Sequence, residues 1–280
     1  MGYAYHVVGE IGGNNDWHFA LVDVQAVVHC AARVHVMREK VRNPIDEFRR
    51  CNVLGTLNLA SQAAEAGVQR FIFLSTIKVN GEQTATGQPF TAEDCPAPQD
   101  PYGISKWETE QGLLTLAEAT GMEVVIIRPP LVYGPGVKAN FLNMMRWLHK
   151  GIPLPLGAIN NLRSFVACDN LVDLIVTCLD HPKAANQVFL AGDGEDLSTT
   201  ELLHRLAMAM GRSPRLLPVS PKLLELTAGL LGKEHIAQRL CGNLQVDITN
   251  TRERLGWTPP VGVDQALRDT VAAYMASEQK

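Results

Sequence analysis

Tyr102 and Lys106 stand four residues apart in the run Asp100-Pro101-Tyr102-Gly103-Ile104-Ser105-Lys106. On a helix this spacing puts both side chains on one face, one turn apart. Asp100 suits the N-cap, and Pro101 suits the first turn, where no backbone N–H is needed. A phenol beside an ammonium is a proton-transfer pair. A free tyrosine titrates at about pH 10. A nearby cation favours the phenolate and draws that value towards neutrality, where a general base works best. The spacing alone is a weak signal, since an ordinary amphipathic helix start reads the same way. Thr76 strengthens it by adding a hydroxyl that could bind the group being deprotonated, although capping of backbone is the commoner use of a loop threonine.

These residues must be brought together by strands and helices. Apolar runs at 26–29 (AVVH), 70–75 (RFIFLS) and 123–127 (EVVII) read as buried parallel strands. A short strand is expected at 5–9 and a helical turn at 16–21. Between and after the apolar runs lie amphipathic stretches at 45–67 and 102–120, the second closed by Gly121. Strands alternating with such helices imply a doubly wound parallel α/β sheet. Ligands of such a sheet lie beyond the carboxyl ends of its strands. The loops after 29, 75 and 127 end there, and Thr76 begins the second. Beyond Gly136 the rhythm loosens. Helices are expected at 141–150, at 169–179 with Asp169 as cap, at 198–210 with Ser198 as cap, at 221–232 and at 263–277, with a strand at 187–191. The expected division is 1–136 as a dinucleotide-binding part and 137–280 as a smaller substrate-binding lobe, some of whose segments return to the first part.

Composition narrows the function class. Apolar residues make up 46% and charged residues 19% of 280, the balance of a soluble globular protein. The formal net charge of −4 gives no reason to expect nucleic acid. Six scattered cysteines without a C-x-x-C pair read as reduced thiols rather than disulfides or a zinc site. His29 and His35 lack a carboxylate at ligand spacing, so no metal is expected. No run approaches the ~20 apolar residues of a membrane span, and no basic-then-apolar leader opens the chain. A cytoplasmic location is expected.

Read in order, the motifs carry a resemblance. His29-Cys30-Ala31-Ala32, Asn52-Val53-Leu54-Gly55-Thr56, Ser75-Thr76, Tyr102 to Lys106, Arg128-Pro129, Val132-Tyr133-Gly134-Pro135, Arg163-Ser164-Phe165-Val166 and Leu255-Gly256-Trp257-Thr258-Pro259 are weak singly. In this order the chain resembles the extended short-chain dehydrogenase/reductase family, in its nucleotide-sugar epimerase/dehydratase branch. The resemblance implies a Rossmann-like fold, NAD or NADP as cofactor, a UDP-sugar substrate and a homodimer built on two helices of each copy. It implies Thr76, Tyr102 and Lys106 as catalytic residues. It places Glu10 and Ile11 by the adenine, and Cys30, Ala31, Ala32 and Arg33 along the cofactor. Ser75, Tyr102, Lys106 and Pro130 are also expected at the cofactor, and Asn52 is expected to support the catalytic loop. Asn140, Arg163 and Arg239 are expected at the nucleotide diphosphate, and Lys78 at the substrate.

Departures from the family pattern shape the reading. The glycine-rich G-x-x-G-x-x-G turn is not found: Gly9, Gly12 and Gly13 are followed by Asn15. An N-terminal truncation of about forty residues, the length of such a unit, is the expectation. Sugar dehydratases of the family carry Thr-Asp-Glu where this chain has Thr76-Ile77-Lys78, so dehydration is not expected. Asn80 and Leu131 stand where Tyr and Asn are usual. The expected activity is hydride transfer at C4 of a UDP-hexose, as a 4-epimerase. The alternatives are a 4-keto-reductase of a UDP-N-acetyl-6-deoxyhexose in surface-polysaccharide synthesis, and a non-catalytic nucleotide-sugar-binding relative or fragment.

Overall fold

The structure, a computed structural model, describes residues 6–34, 43–230, 232 and 234–278, with the side chains of 234–236 left aside. His35 lies outside the described residues. The central sheet holds β1 (Ala26–His29), β2 (Arg70–Leu74), β3 (Glu123–Arg128) and a later strand, β6 (Gln187–Leu190), in the order β1-β2-β3-β6. All its pairings are parallel, with Ala26 opposite Arg70, Arg70 opposite Glu123, and Val125 opposite Gln187. The two central strands are buried on both faces, which is why they read as unbroken apolar runs rather than as alternation.

Alternate side chains of these strands feed two cores. Phe71, Phe73, Val124 and Ile126 pack with Leu59, Ala63 and Leu113 from the helices on one face. Ile72, Val125 and Ile127 pack with Leu171, Leu174 and Cys178 on the other. The first-face helices are α1 (Pro44–Phe48), α2 (Gly55–Glu65) and α3 (Pro101–Thr120). A π-helical stretch, Arg49–Leu54, joins α1 to α2 without a break. The helix expected at 45–67 is therefore one continuous element with a widened turn in it. α3 ends at Gly121, whose φ of +78° is the left-handed conformation that favours glycine.

A smaller three-stranded sheet holds β4 (Leu131–Tyr133), β5 (Arg163–Ala167) and β7 (Asp196–Leu197). Beside it, α4 (Ala139–His149), α6 (Thr199–Ala209) and α10 (Val263–Glu278) enclose a third core around Tyr133, Phe141, Leu203 and Leu267. α5 (Cys168–Asp180) covers the second face of the central sheet. α7 (Pro221–Leu230), α8 (Glu234–Cys241) and α9 (Thr249–Leu255) complete the chain.

Two local expectations fail. Residues 6–9 are not a strand. Instead the Asn15 side chain closes the following turn, its Oδ1 accepting from Gly12 N at 2.6 Å and its Nδ2 donating to Glu10 O at 3.1 Å. Asp169 does not cap α5. The N-cap is Ala167, and Asp169 sits in the first turn, where its charge still favours the positive end of the helix. Ser198 does cap α6, accepting from Glu201 N at 3.0 Å. No helix among the described residues is long and apolar enough to cross a membrane.

Candidate active site

The carboxyl ends of β1, β2 and β3 deliver three loops to one edge of the sheet. Ser75 N donates to Ile127 O at 2.7 Å and Ile77 N to Pro129 O at 2.9 Å, so the second and third loops leave the sheet tied together. Thr76 begins the second, half-buried, with its Oγ1 accepting from Lys78 N at 3.4 Å. Asn52, in the π-helical stretch, ties the first loop to α3. Its Oδ1 accepts from Arg33 N at 2.8 Å, and its Nδ2 donates to Arg33 O at 3.1 Å and to Ser105 Oγ at 3.0 Å. Widened helical turns of this kind recur at functional sites.

α3 starts as its sequence dictates. Asp100 Oδ1 accepts from Gly103 N at 2.6 Å, and the other carboxylate oxygen pairs with Lys78 Nζ, which also reaches Glu82 at 3.0 Å. Gly103 is needed here for close approach: a Cβ would stand 3.1 Å from Lys78 O and 3.3 Å from Lys78 Cβ. The loop carrying Thr76 thus rests on the first turn of the helix carrying Tyr102.

Lys106 is only 1% exposed. Its Nζ donates to Leu74 O at 2.7 Å and lies 4.1 Å from the Phe73 ring centroid. Burial drives its pKa down to about 7, partly opposed by Glu110 one turn on. Tyr102 differs from expectation. Burial, then the Asp100 carboxylate, push its phenol up to about 12. The cation four residues on has not lowered it, because Lys106 points at Leu74 O while the Tyr102 ring packs edge-on against Phe48, 6.2 Å between centroids.

Beneath the pair lies a network that spacing did not reveal. Arg128 and Glu110, 3% and 1% exposed, form a two-pronged ion pair at 2.6 and 3.1 Å. Arg128 Nη1 donates to Asn80 Oδ1 at 3.0 Å, and Asn80 Nδ2 donates to Thr91 O at 2.8 Å. Ser75 Oγ donates to Glu110 Oε1. The hydroxyl of Ser75, expected at the cofactor, is therefore turned into this network. A charged residue at the end of an otherwise apolar strand, as Arg128 is, was the one available signal for it.

The remaining expected residues divide by place. Ala31, Ala32 and Arg33 line the first loop with Cys30, which lies near enough for the Lys106 charge to bear on its thiol. Pro130 is buried at the exit of β3. Glu10 is on the surface, 3.3 Å from Arg50, and Ile11 packs half-buried on the helix-side core. Lys78, expected at the substrate, is held by Asp100 and Glu82. Asn140 is exposed in the first turn of α4. Arg163 opens β5 and donates to Gly242 O at 3.1 Å. Its pKa is lowered by burial and then by the charge of Arg239, from the last turn of α8. The Glu82 carboxylate acts on Arg163 in the opposite sense.

Known proteins share the fold. Residues 7–192 match the model of the NAD dependent epimerase/dehydratase family. The chain is 52% identical over 274 residues to a UDP-glucose 4-epimerase of Vibrio cholerae, covering 98% of this chain and 84% of that protein. The crystal structure of a UDP-glucose 4-epimerase with UDP-glucose from Thermotoga maritima is similar at a TM-score of 0.73 and 25% identity, covering 93% of this chain and 80% of that one. The UDP-glucuronic acid 4-epimerase of Bacillus cereus, solved with NAD, shares the fold at a TM-score of 0.76 and 20% identity, over 95% of this chain and 79% of that one. With a Rossmann-like parallel sheet, the Thr76, Tyr102 and Lys106 set at its carboxyl edge, and these likenesses, the chain belongs to the NAD dependent epimerase/dehydratase family.

Proposed function

We propose that this protein inverts the configuration at C4 of a UDP-hexose, using a nicotinamide dinucleotide. The observation that carries the reading is the buried ammonium of Lys106, one turn from Tyr102, in a chain 52% identical to a UDP-glucose 4-epimerase. Of the three N–H groups of Lys106, the structure commits one, to Leu74 O. Among the described residues the other two meet no acceptor, and ribose hydroxyls would satisfy them. Together with the loop 30–33 and Pro130, that donor set suits a nicotinamide dinucleotide. When bound, such a group supplies the acceptor and donor of hydride.

The side chains then act on the sugar's 4-oxygen. Tyr102 Oη takes its proton as hydride departs from C4, and returns it when hydride comes back on the other face. Thr76 Oγ1 hydrogen-bonds the same oxygen. Lys106 favours the phenolate once both groups face substrate. Arg163 and Arg239 hold the diphosphate. Ile77 is buried and cannot move a proton, and Lys78 is occupied by Asp100 and Glu82. This supports chemistry confined to C4 rather than dehydration. A 4-keto-reductase would employ the same residues but consume reduced cofactor stoichiometrically.

Chromatography of UDP-glucose and UDP-galactose after incubation with the protein tests the reading, with dinucleotide absorbance followed in parallel. Approach to one sugar equilibrium from both sides without net cofactor oxidation supports it; stoichiometric oxidation with a 4-keto sugar overturns it in favour of the reductase. Tyr102→Phe keeps the ring packing and removes the titrating oxygen, so turnover is expected to fall about 10²–10⁴-fold. Near-normal turnover of that variant would remove Tyr102 from the mechanism.

We also infer a homodimer joined through α2, the π-helical stretch and α3. Leu54, 55% exposed on the outer side of that stretch, supports such a face, and C₂ pairing would bury it against its copy. A monomer in light scattering at micromolar concentration would refute this. The six free thiols support a reducing, cytoplasmic compartment.

A further inference from the structure

Glu110 is fully buried one turn beyond Lys106 on α3, and the proton transfer described above does not use it. Its carboxylate collects donors from the ends of two strands. Oε1 accepts from Ser75 Oγ, just past β2, and from Arg128 Nε at 3.1 Å. Oε2 accepts from Arg128 Nη2, at the end of β3, at 2.6 Å. Ser75 N donates to Ile127 O at 2.7 Å, so the two strand ends are also joined to each other. Ser75 stands between the two groups that the chemistry needs from this strand end. On one side is Leu74, whose O accepts from Lys106 Nζ at 2.7 Å. On the other is Thr76.

Packing alone does not account for two charges here. A buried ion pair can be replaced by apolar side chains of similar volume with little or no loss of stability. Such side chains could neither hold the Ser75 hydroxyl nor place a charge beside Lys106. Around Lys106 stand His29 of β1, Cys30 of the following loop, Cys51 of the π-helical stretch, and Tyr102 and Glu110 of its own helix, with Arg128 of β3 paired to Glu110. Glu110 is the carboxylate of this set, and it opposes the effect of burial on the ammonium.

We infer that Glu110 is a positioning residue for the 4-epimerase reaction, holding Leu74 O and Thr76 in register with Lys106 through Ser75 and Arg128. The inference rests on the roles given above to Tyr102, Lys106 and Thr76. The same carboxylate favours the charged form of Lys106, the form that can in turn favour the Tyr102 phenolate.

Two variants separate this role from plain support of the fold. In Glu110→Gln the Lys106 ammonium loses its neighbouring anion, and its titration midpoint is expected to fall by about one pH unit or more. NMR of the full chain with isotope-labelled lysine reads that midpoint, Lys106→Met identifying the signal. Ser75→Ala keeps the ion pair and cuts only the link to the strand end. Its kcat is expected to fall on the order of tenfold, the worth of one such hydrogen bond, with KM for UDP-hexose unchanged, and Ser75→Thr is expected to restore it. An unmoved Lys106 midpoint in Glu110→Gln overturns the inference. So does a normal kcat in Ser75→Ala with only the melting temperature lowered, which would leave the network a support of the fold. Should Glu110→Gln not fold, the Ser75→Ala kinetics decide. Failure of the 4-epimerase reading shows separately: the wild type then does not turn over UDP-hexose, while the Lys106 midpoint, measured without substrate, still answers for Glu110.

Discussion

His29 illustrates how a single residue near this site couples packing to pH. It ends β1, shares a 2.9 Å hydrogen bond with Thr56 and stacks on Phe73, ring centroids 6.1 Å apart. Burial, and then the neighbouring Lys106 charge, pull its pKa down from 6.5 to about 4. The unfolded chain takes up a proton as pH falls through about 6.5, whereas the native ring refuses it until about 4. Stability is therefore undiminished above 6.5 and lost as pH falls towards 4. The loss from this residue is about 3 kcal/mol. His29→Asn should remove that slope. Urea unfolding of both proteins at pH 7 and 4.5 checks it, and parallel losses in the two would show that His29 is not the source. At the same scale, the high pKa of Tyr102 describes a phenol waiting for its partner: the structure supplies the cation but leaves it on Leu74 O.

Among the elements, the loop Thr76–Glu82 and the start of α3 act as one unit. Asp100 is both the cap of the helix and the partner of Lys78, and its charge is the second cause of the raised Tyr102 pKa. Lys78 offsets that charge. Lys78→Met should therefore leave Asp100 uncompensated beside the phenol and move the Tyr102 pKa further up. The alkaline-going limb of log kcat/KM against pH should shift to higher pH, with turnover at neutral pH reduced and the fold kept, since the cap bond to Gly103 survives. An unshifted pH profile would mean that Lys78 acts on substrate instead, as its sequence position implied. The Glu110–Arg128 pair is a second element-level device. It joins α3 to the end of β3, and with Asn80 and Ser75 nearly all of its polar atoms are satisfied, the condition under which a buried ion pair is tolerable.

Across the whole molecule, the proposed site draws on two halves of the chain. Tyr102, Lys106 and Thr76 belong to the central sheet and its first-face helices. Arg163 and Arg239 come from the smaller sheet and α8, and the strand β6 ties the later chain back onto β3. Proton transfer and anion binding should therefore separate in mutants. Arg239→Met removes a charge-assisted contact worth about 1.5–3 kcal/mol, so KM for UDP-hexose should rise about tenfold or more while kcat changes little. A fall in kcat with unchanged KM would place Arg239 elsewhere in the mechanism. Steady-state kinetics over a wide range of substrate concentration distinguishes the two.

What the sequence determined by itself was whatever obeys short-range rules. Doubly buried parallel strands must be apolar throughout, so β1, β2 and β3 could be read within a residue or two of their ends. Asp100 and Ser198 cap helices because their side chains reach a backbone N–H three residues on, and Tyr102 and Lys106 share a face because a helix repeats every 3.6 residues. Long-range partners obey no such rule. Lys78 meets Asp100 across 22 residues and Ser75 meets Glu110 across 35, pairings that only the packing of loop on helix creates. The same holds for the direction of the Tyr102 shift. Spacing brings the cation near, but burial and the carboxylate at Asp100 decide the sign, and burial is a property of the folded chain. Segment 6–9 has strand-forming residues, yet the Asn15 side chain turns the backbone that follows, and the competing side-chain hydrogen bonds prevail. The influence of the Arg239 charge on Arg163 likewise exists only once β5 and α8 have docked.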